Sequence, residues 1–278
     1  MPELSRTYLD ASLRDGLTVR WPDSAMPIKV YIAPFRWYEK SKQQESFVYN
    51  QMVIECLKVW QDVTHNAVRF LIVPDMQSSQ INFAWRRVDR KSLGHCEYSI
   101  NKRSMVYSAE IQIGISDGIL HAAYNDADEV RHTILHEIGH SLGLVGHSDG
   151  PSDIMYVPHQ YGVVGLSPRD AETIGWLYKL PVGFNYHAIA EKHQLAAPYT
   201  LHDVIELLAD PTAKPKKDAF LEKAKPVHVE RPEKLLQDHD ILTHMGKFHL
   251  ATQNIQIRPD TLKKLANPKF PPPTDPHE

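Results

Sequence analysis

Residues 136–147 read HEIGHSLGLVGH, and the spacing of their histidines is the most informative feature of this sequence. On a helix, His136 and His140 lie one turn apart, so both imidazoles project from the same face and can bind one metal ion at about 2.0–2.1 Å. Gly143 can end the helix, after which the chain can turn back and bring His147 to the ion as a third nitrogen ligand. The segment therefore predicts a three-histidine metal site.

Three protein ligands leave the fourth position of a tetrahedral zinc ion open, which is typical of a catalytic zinc site. Zinc in such a site lowers the pKa of a bound water to about 7 and polarises a substrate carbonyl. Glu137 lies beside His136 and is not needed as a ligand, so its carboxylate can accept the water's proton and pass it to a leaving amine. The residues predict a hydrolytic zinc site with Glu137 as the general base.

The metal-site interpretation depends on the full motif, because a bare HExxH pattern also occurs on helices that bind no metal. Gly143 and His147 make the pattern specific. Other histidines lack this spacing, and we expect them to be surface or core residues: His121, His132, His159, His187 and His193.

Composition and charge exclude several classes of protein. A formal net charge of -3 argues against a nucleic-acid partner, because such proteins usually carry a basic face. The sequence shows no secretory signal and no apolar run of about 18 residues, so we expect no membrane partner and a cytoplasmic location by default. We expect Cys56 to be a core thiol, and Cys96 to be neither a nucleophile nor a zinc ligand. The sequence leaves the oligomeric state open.

Hydrophobic periodicity predicts five strands and three helices. The strands are IKVYI (28–32), VRFLIV (68–73), INFAW (81–85), LGHCEY (93–98) and EIQIGI (110–115). The first helix covers roughly residues 45–63. The second contains the histidine motif and begins with a capping box of Asp126 and Glu129, and the third runs from its N-cap Ser167 to Pro181. Beyond residue 182 prolines become dense, which predicts a partly ordered appendage.

HEIGHSLGLVGH, followed by SDIMY at 152–156, resembles the metzincin pattern HExxHxxGxxH with its Met-turn. Ser148 after the third histidine, and MYVP in the turn, are similar to the matrixins, the matrix metalloprotease branch. The resemblance implies that Met155 forms an apolar floor beneath the zinc ion. It covers most of residues 18–181 and implies an α+β fold: a twisted mixed five-stranded sheet with three helices, and a cleft above a small lower lobe that begins after Gly143.

The resemblance also implies where a substrate lies and which further metals to expect. LGHCEY is similar to the strand that flanks the substrate, so Leu93, Gly94 and His95 are predicted to lie beside an extended peptide. Matrixins bind a structural zinc through a His-x-Asp loop and two further histidines. His95 occupies one of these positions, but VDRKS (88–92) contains no His-x-Asp and Gln112 stands at the other. We therefore expect one catalytic zinc, no structural zinc and no calcium.

These observations predict a zinc endopeptidase domain at residues 18–181, acting on protein or peptide substrates, and an extension of unknown role at 182–278. One alternative is a peptide-recognition module that keeps the fold without hydrolysis. Glu137 argues against that alternative, because a degenerate site is expected to lose its base first. The motif leaves open a second alternative, a zinc hydrolase that acts on a non-peptide amide.

Overall fold

The computed structural model describes residues 7–35, 46–87, 93–115, 127–209 and 247–249. Within these residues the chain forms one mixed six-stranded sheet in the order β2-β1-β3-β5-β4-β6. The strands are β1 (Ile28–Ile32), β2 (Phe70–Ile72), β3 (Ile81–Arg87), β4 (Gly94–Ile100), β5 (Val106–Ile115) and β6 (Lys247–His249). The first three and β5 run parallel, whereas β4 is antiparallel to both of its neighbours.

Six α-helices accompany this sheet in the described part of the chain. They are α1 (Leu9–Ser12), α2 (Ser46–Val63), α3 (Ala127–Ser141), α4 (Pro168–Lys179), α5 (Tyr186–Lys192) and α6 (Leu201–Ala209). None of these helices is both long enough and apolar enough to cross a membrane. The predicted α+β class is confirmed: the five predicted strands are present, and α2, α3 and α4 are the three predicted helices. The remaining helices and β6 are additions to that prediction.

The helix ends follow local rules. Ser167 caps α4 through a capping box, in which its hydroxyl accepts from the Asp170 amide and the Asp170 carboxylate accepts from the Ser167 amide. Asp126, the predicted cap of α3, lies outside the described residues. At its other end α3 stops at Ser141, two residues before Gly143, which has a φ of 109°. This left-handed backbone favours glycine.

The core lies between the sheet and the pair α2 and α3. Trp60 of α2 is fully buried, and its indole N–H donates to the Leu135 carbonyl of α3 at 3.1 Å. Alternate residues of β5, Ile111 and Ile113, are buried beneath these helices, as expected for a strand with one face toward a core. Cys56 and Cys96 are both buried free thiols.

Segments on both sides of the predicted domain limits contribute to this core. Tyr8 and Leu9 are buried near the N-terminus, and Tyr186 and Leu201 are buried in α5 and α6. The two segments meet where the Tyr186 amide donates to the Gly16 carbonyl at 3.2 Å. The division into residues 18–181 and 182–278 stays a prediction.

Candidate metal centre

His136, His140 and His147 form a cluster that could bind a metal ion. One side-chain nitrogen of each residue lies within 4.8 Å of the others. The Nε2 atoms of His136 and His140 are 3.0 Å apart. The ring centroid of His147 lies 5.4 Å from that of His136 and 5.0 Å from that of His140. The structure thus brings together the three histidines that the sequence predicted as ligands.

The turn after α3 delivers the third histidine. The Leu144 amide donates to the Gly139 carbonyl at 3.1 Å, and the Gly143 amide donates to the His140 carbonyl at 3.0 Å. A Cβ on Gly143 would overlap the Val19 carbonyl oxygen, so the chain needs glycine here for space as well as for its positive φ. This tight reversal turns the chain back toward α3, which places His147 beside the other two rings.

Hydrogen bonds define how the two helical histidines present their rings. Nδ1 of His136 contacts the Ile154 carbonyl at 2.8 Å, and Nδ1 of His140 contacts the Leu144 carbonyl at 2.6 Å. Because a carbonyl oxygen only accepts, each Nδ1 donates its hydrogen and each Nε2 presents a lone pair when the ring is neutral. Burial lowers the pKa of both imidazoles well below 6.5, which favours the neutral form.

The donor set fits zinc. Two nitrogen lone pairs facing each other at 3.0 Å repel unless a cation lies between them. Three imidazole nitrogens are a ligand set that zinc accepts, and carbonyl partners at Nδ1 fix the rings as they do in many metal sites. The cluster is the one group of three or more metal-ligating side chains found among the described residues. VDRKS lies outside those residues, so the expectation of no structural zinc or calcium stays a prediction.

The side chain of Glu137, a residue of α3, packs against β4 and is only 1% exposed. Within the described structure, its Oε2 atom has no hydrogen-bond partner. Burial raises the pKa of this carboxyl well above 4.5, and the positive charge of Arg86 opposes the shift. A buried carboxylate oxygen without a partner is unusual, and it leaves an unused hydrogen-bond acceptor on the helix that carries His136 and His140.

Gly94, at the start of β4, makes room for Glu137. A Cβ added to Gly94 would overlap Glu137 Oε1 and would lie 2.6 Å from Thr133 Cγ2. Such separations are shorter than side chains tolerate, so the glycine allows β4 to pass directly over the carboxylate. Leu93 and Gly94 are buried, whereas His95 is half-buried on the opposite strand face and is paired with Gln112 of β5. The predicted substrate strand therefore borders the predicted base.

Met155 lies under α3, fully buried. A Cβ on Gly139 would lie 2.5 Å from Met155 Sδ, so the thioether contacts the helix in the turn that joins the two helical histidines. The Met155 carbonyl accepts from the Ser148 amide at 2.9 Å, which ties this turn to the residue after His147. The structure thus packs Met155 against α3, and its role as the apolar floor beneath a zinc ion, which the resemblance to the metzincins implies, stays a prediction.

Two aspartates support this turn, and the sequence analysis did not identify either. Asp170 accepts from the Ile154 amide at 2.8 Å and from the Tyr8 hydroxyl at 2.6 Å. Asp153 accepts from the Ser148 hydroxyl and pairs with Arg169 at 3.0 Å. The spacing of Ser167 and Asp170, typical of a capping box, was the one local signal for this network.

A second group that the sequence analysis missed lies next to the first. His132 and His159 have ring centroids 4.1 Å apart, and His159 Nε2 forms an ion pair or hydrogen bond with the Glu129 carboxylate. Nδ1 of His132 donates to the Val163 carbonyl at 2.7 Å. The His132 ring is stacked 6.3 Å from that of His136. The sequence did offer one signal for this group: His132 precedes His136 by four residues, which places the two rings on the same face of a helix.

The described residues thus combine a three-histidine cluster with a buried glutamate that follows His136 in the sequence, on an α+β scaffold. The model of the peptidase family described as Matrixin matches residues 33–179, just over half of the chain. The chain belongs to the matrixin family. This membership and the histidine cluster together fit a zinc metalloprotease.

Individual relatives match over shorter stretches or at low identity. A probable matrix metalloproteinase 095L of Invertebrate iridescent virus 3 is 41% identical over 54 residues, which are 19% of this chain and 15% of that relative. The chain thus matches only a small part of that viral protein. Among solved structures, a structure of myroilysin is 13% identical with a TM-score of 0.39, covering 60% of this chain and 99% of the other.

Proposed function

We propose that this protein is a zinc endopeptidase in which His136, His140 and His147 bind the ion and Glu137 is the general base. The observation that carries the proposal is the three-imidazole cluster together with Glu137, which follows His136 on α3 and is buried with one oxygen that has no partner among the described residues. When bound, zinc supplies a Lewis acid that activates a water and polarises the scissile carbonyl.

The protein's own groups account for the remaining requirements of hydrolysis. Glu137 Oε2 is available to accept a proton from the attacking water and to return it to the leaving amine. The carbonyls of Ile154 and Leu144 hold the two helical rings in one orientation. Met155 packs against Gly139, and their burial excludes solvent from this side of the helix turn between His136 and His140.

A peptide substrate is favoured over a small amide by the edge of β4. On the side away from β5, residues 95–97 of β4 pair with β6. This outer edge can therefore hold an extended chain through main-chain hydrogen bonds. The same edge continues to Gly94, which contacts Glu137. A peptide added there would pass beside Glu137. Because such a peptide can extend in both directions from the scissile bond, this arrangement favours cleavage within a chain over removal of terminal residues.

The proposal is tested by comparing zinc-loaded wild type with Glu137→Gln on casein and on a peptide library. We expect Glu137→Gln to keep its zinc and to lose activity by about 10²–10⁴-fold, as for a general base. The matched control is Glu172→Gln on α4, outside the metal centre, which should keep activity. Cleavage sites in the interior of peptides support an endopeptidase.

Other results would favour the alternatives. A zinc-loaded wild type that binds peptides but cleaves none would indicate a recognition module. Hydrolysis of small amides without any peptide cleavage would indicate a hydrolase of another substrate class. Full activity of Glu137→Gln would assign the base to a different group.

A further inference from the structure

β6, a three-residue segment near the C-terminus, occupies the outer edge of β4. The two strands are antiparallel, with Glu97 opposite Lys247, Cys96 opposite Phe248 and His95 opposite His249. β4 therefore lies between β5 and β6 in the sheet. The edge that the proposed function assigns to a substrate is covered by a segment of the same chain.

The peptide groups involved can be assigned from the neighbouring ladder. The Leu93 carbonyl accepts from the Gly114 amide, so at Leu93 the strand bonds toward β5. The N–H and C=O groups of successive residues point alternately to the two sides of an antiparallel strand. Cys96 is three residues after Leu93, so its N–H and C=O point toward β6, where Phe248 lies opposite. A substrate strand on this edge needs the same N–H and C=O groups of Cys96, because only one strand can lie beside β4 on this side, at the usual strand separation of about 4.8 Å.

The direction of β6 brings the segment toward the catalytic groups. The chain runs from a position opposite Glu97 to one opposite His95, which is next to Gly94. Gly94 in turn contacts Glu137. A peptide cannot extend along β4 past this point while β6 is paired, since both would need the same main-chain donors and acceptors.

We propose that β6, Lys247–His249, is an internal competitor that closes the substrate edge of β4 and must be displaced before a peptide binds. This inference rests on the proposed endopeptidase function. A competitor on the same chain acts at an effective concentration that does not change on dilution. Because the ladder is only three residues long, peptide substrates can displace it, and the result is partial inhibition.

The first test uses the full chain with Phe248→Pro, which removes the amide hydrogen opposite Cys96. We expect kcat/KM for a peptide substrate to rise about two- to tenfold, the contribution of one net hydrogen bond, mainly through a lower KM and with unchanged zinc content. Phe248→Ala keeps the amide and is the matched control, which should rise less. An unchanged kcat/KM in Phe248→Pro, with an active wild type, overturns this inference and leaves the proposed function standing.

The second test supplies the segment as a separate peptide, THMGKFHLATQ, which is residues 243–253. It should inhibit the Phe248→Pro protein competitively, and the same peptide with proline in place of the phenylalanine should inhibit much less. Equal inhibition by both peptides contradicts strand pairing. Activation of the wild type on dilution would instead assign the covering strand to a second copy and overturn the internal arrangement.

Amide hydrogen exchange gives a readout that does not depend on catalysis. The Cys96 amide should be protected in the wild type and should exchange faster in Phe248→Pro, whereas the amides of β4 that bond to β5 should not change. Equal exchange in both proteins would contradict the inference. If zinc-loaded wild type and Phe248→Pro both fail to cleave while Cys96 loses protection in the variant, the pairing is real and it is the proposed function that fails.

Discussion

Gly94 and Glu137 are in direct contact across the boundary between β4 and α3. A Cβ on Gly94 would lie 2.7 Å from Glu137 Cγ and would overlap Oε1. The strand that would hold a substrate is thereby in contact with the carboxylate that would act on it. A shift of either residue changes the relation between substrate and base, which makes the pair a sensitive point for mutation.

Gly94→Ala should lower kcat/KM by roughly 10²-fold, because the added methyl group displaces Glu137 or β4 and misplacement of about 1 Å has effects of this size. Zinc content should stay the same, since the atoms nearest to the added methyl group belong to Glu137 and Thr133 and not to the three histidines. Steady-state kinetics with metal analysis measures both. Gly175→Ala is the control, because nothing lies within 4 Å of a Cβ there; equal activity of both variants would show that the contact has no role.

The metal centre should bind one zinc per chain, and His147→Ala should reduce that stoichiometry because it removes one of three ligands. Removal of zinc with a chelator should lower the melting temperature and abolish hydrolysis, and added zinc should restore both. His193→Ala, at an exposed histidine, is the matched control. A stoichiometry near two, or full zinc affinity in His147→Ala, contradicts the three-histidine site.

Asp170→Ala should destabilise the fold by about 2–4 kcal/mol, since it removes the acceptor for two buried donors, the Ile154 amide and the Tyr8 hydroxyl. It should also weaken zinc binding by about 10–100-fold, because the Ile154 carbonyl orients His136. Chemical denaturation and zinc titration measure the two effects.

Tyr8→Phe separates the two consequences of Asp170→Ala. It removes only the hydroxyl, so it should cost about 1–2 kcal/mol of unfolding free energy and leave zinc affinity unchanged. A weaker zinc affinity in Tyr8→Phe would show that the N-terminal segment acts on the metal centre as well as on stability.

His132 should make stability depend on pH. Burial, and next the nearby His159, lower its pKa from 6.5 to about 4. Between these values the unfolded chain binds a proton that the folded protein does not, so the free energy of unfolding should fall as the pH decreases from 6.5 to about 4. His132→Asn should show a shallower decrease at matched zinc content. His193→Asn, at an exposed position, should keep the wild-type slope; a wild-type slope in His132→Asn would contradict this assignment.

Cys96 should be unreactive in the folded protein. It is completely buried, and burial together with the charge of Glu137 raises the pKa of its thiol well above 9. Cys96→Ser should keep its zinc and most of its peptidase activity, with a stability cost of about 1–3 kcal/mol for a buried hydroxyl. Labelling with a thiol reagent should require unfolding. Loss of activity in Cys96→Ser, with fold and zinc content intact, would assign the thiol a direct role.

Local sequence patterns predicted the parts of the molecule that depend on neighbours within a few residues. The period of α3 places His136 and His140 on one face, and Gly143 allows the turn that returns His147. Alternation along LGHCEY correctly placed Gly94 and Cys96 on one strand face. Each of these features is determined by backbone geometry over one or two turns, so it can be read from spacing alone.

Tertiary structure decided which distant residues meet, because periodicity specifies a face but not its partner. The Tyr8 hydroxyl bonds to Asp170, 162 residues away, and His159 joins Glu129 across 30 residues. β6 is too short to show a strand period, and its position on β4 follows from a free sheet edge. The sequence alone therefore predicted the candidate metal ligands and base, whereas long-range packing decided which residues support them and which strand lies along the outer edge of β4.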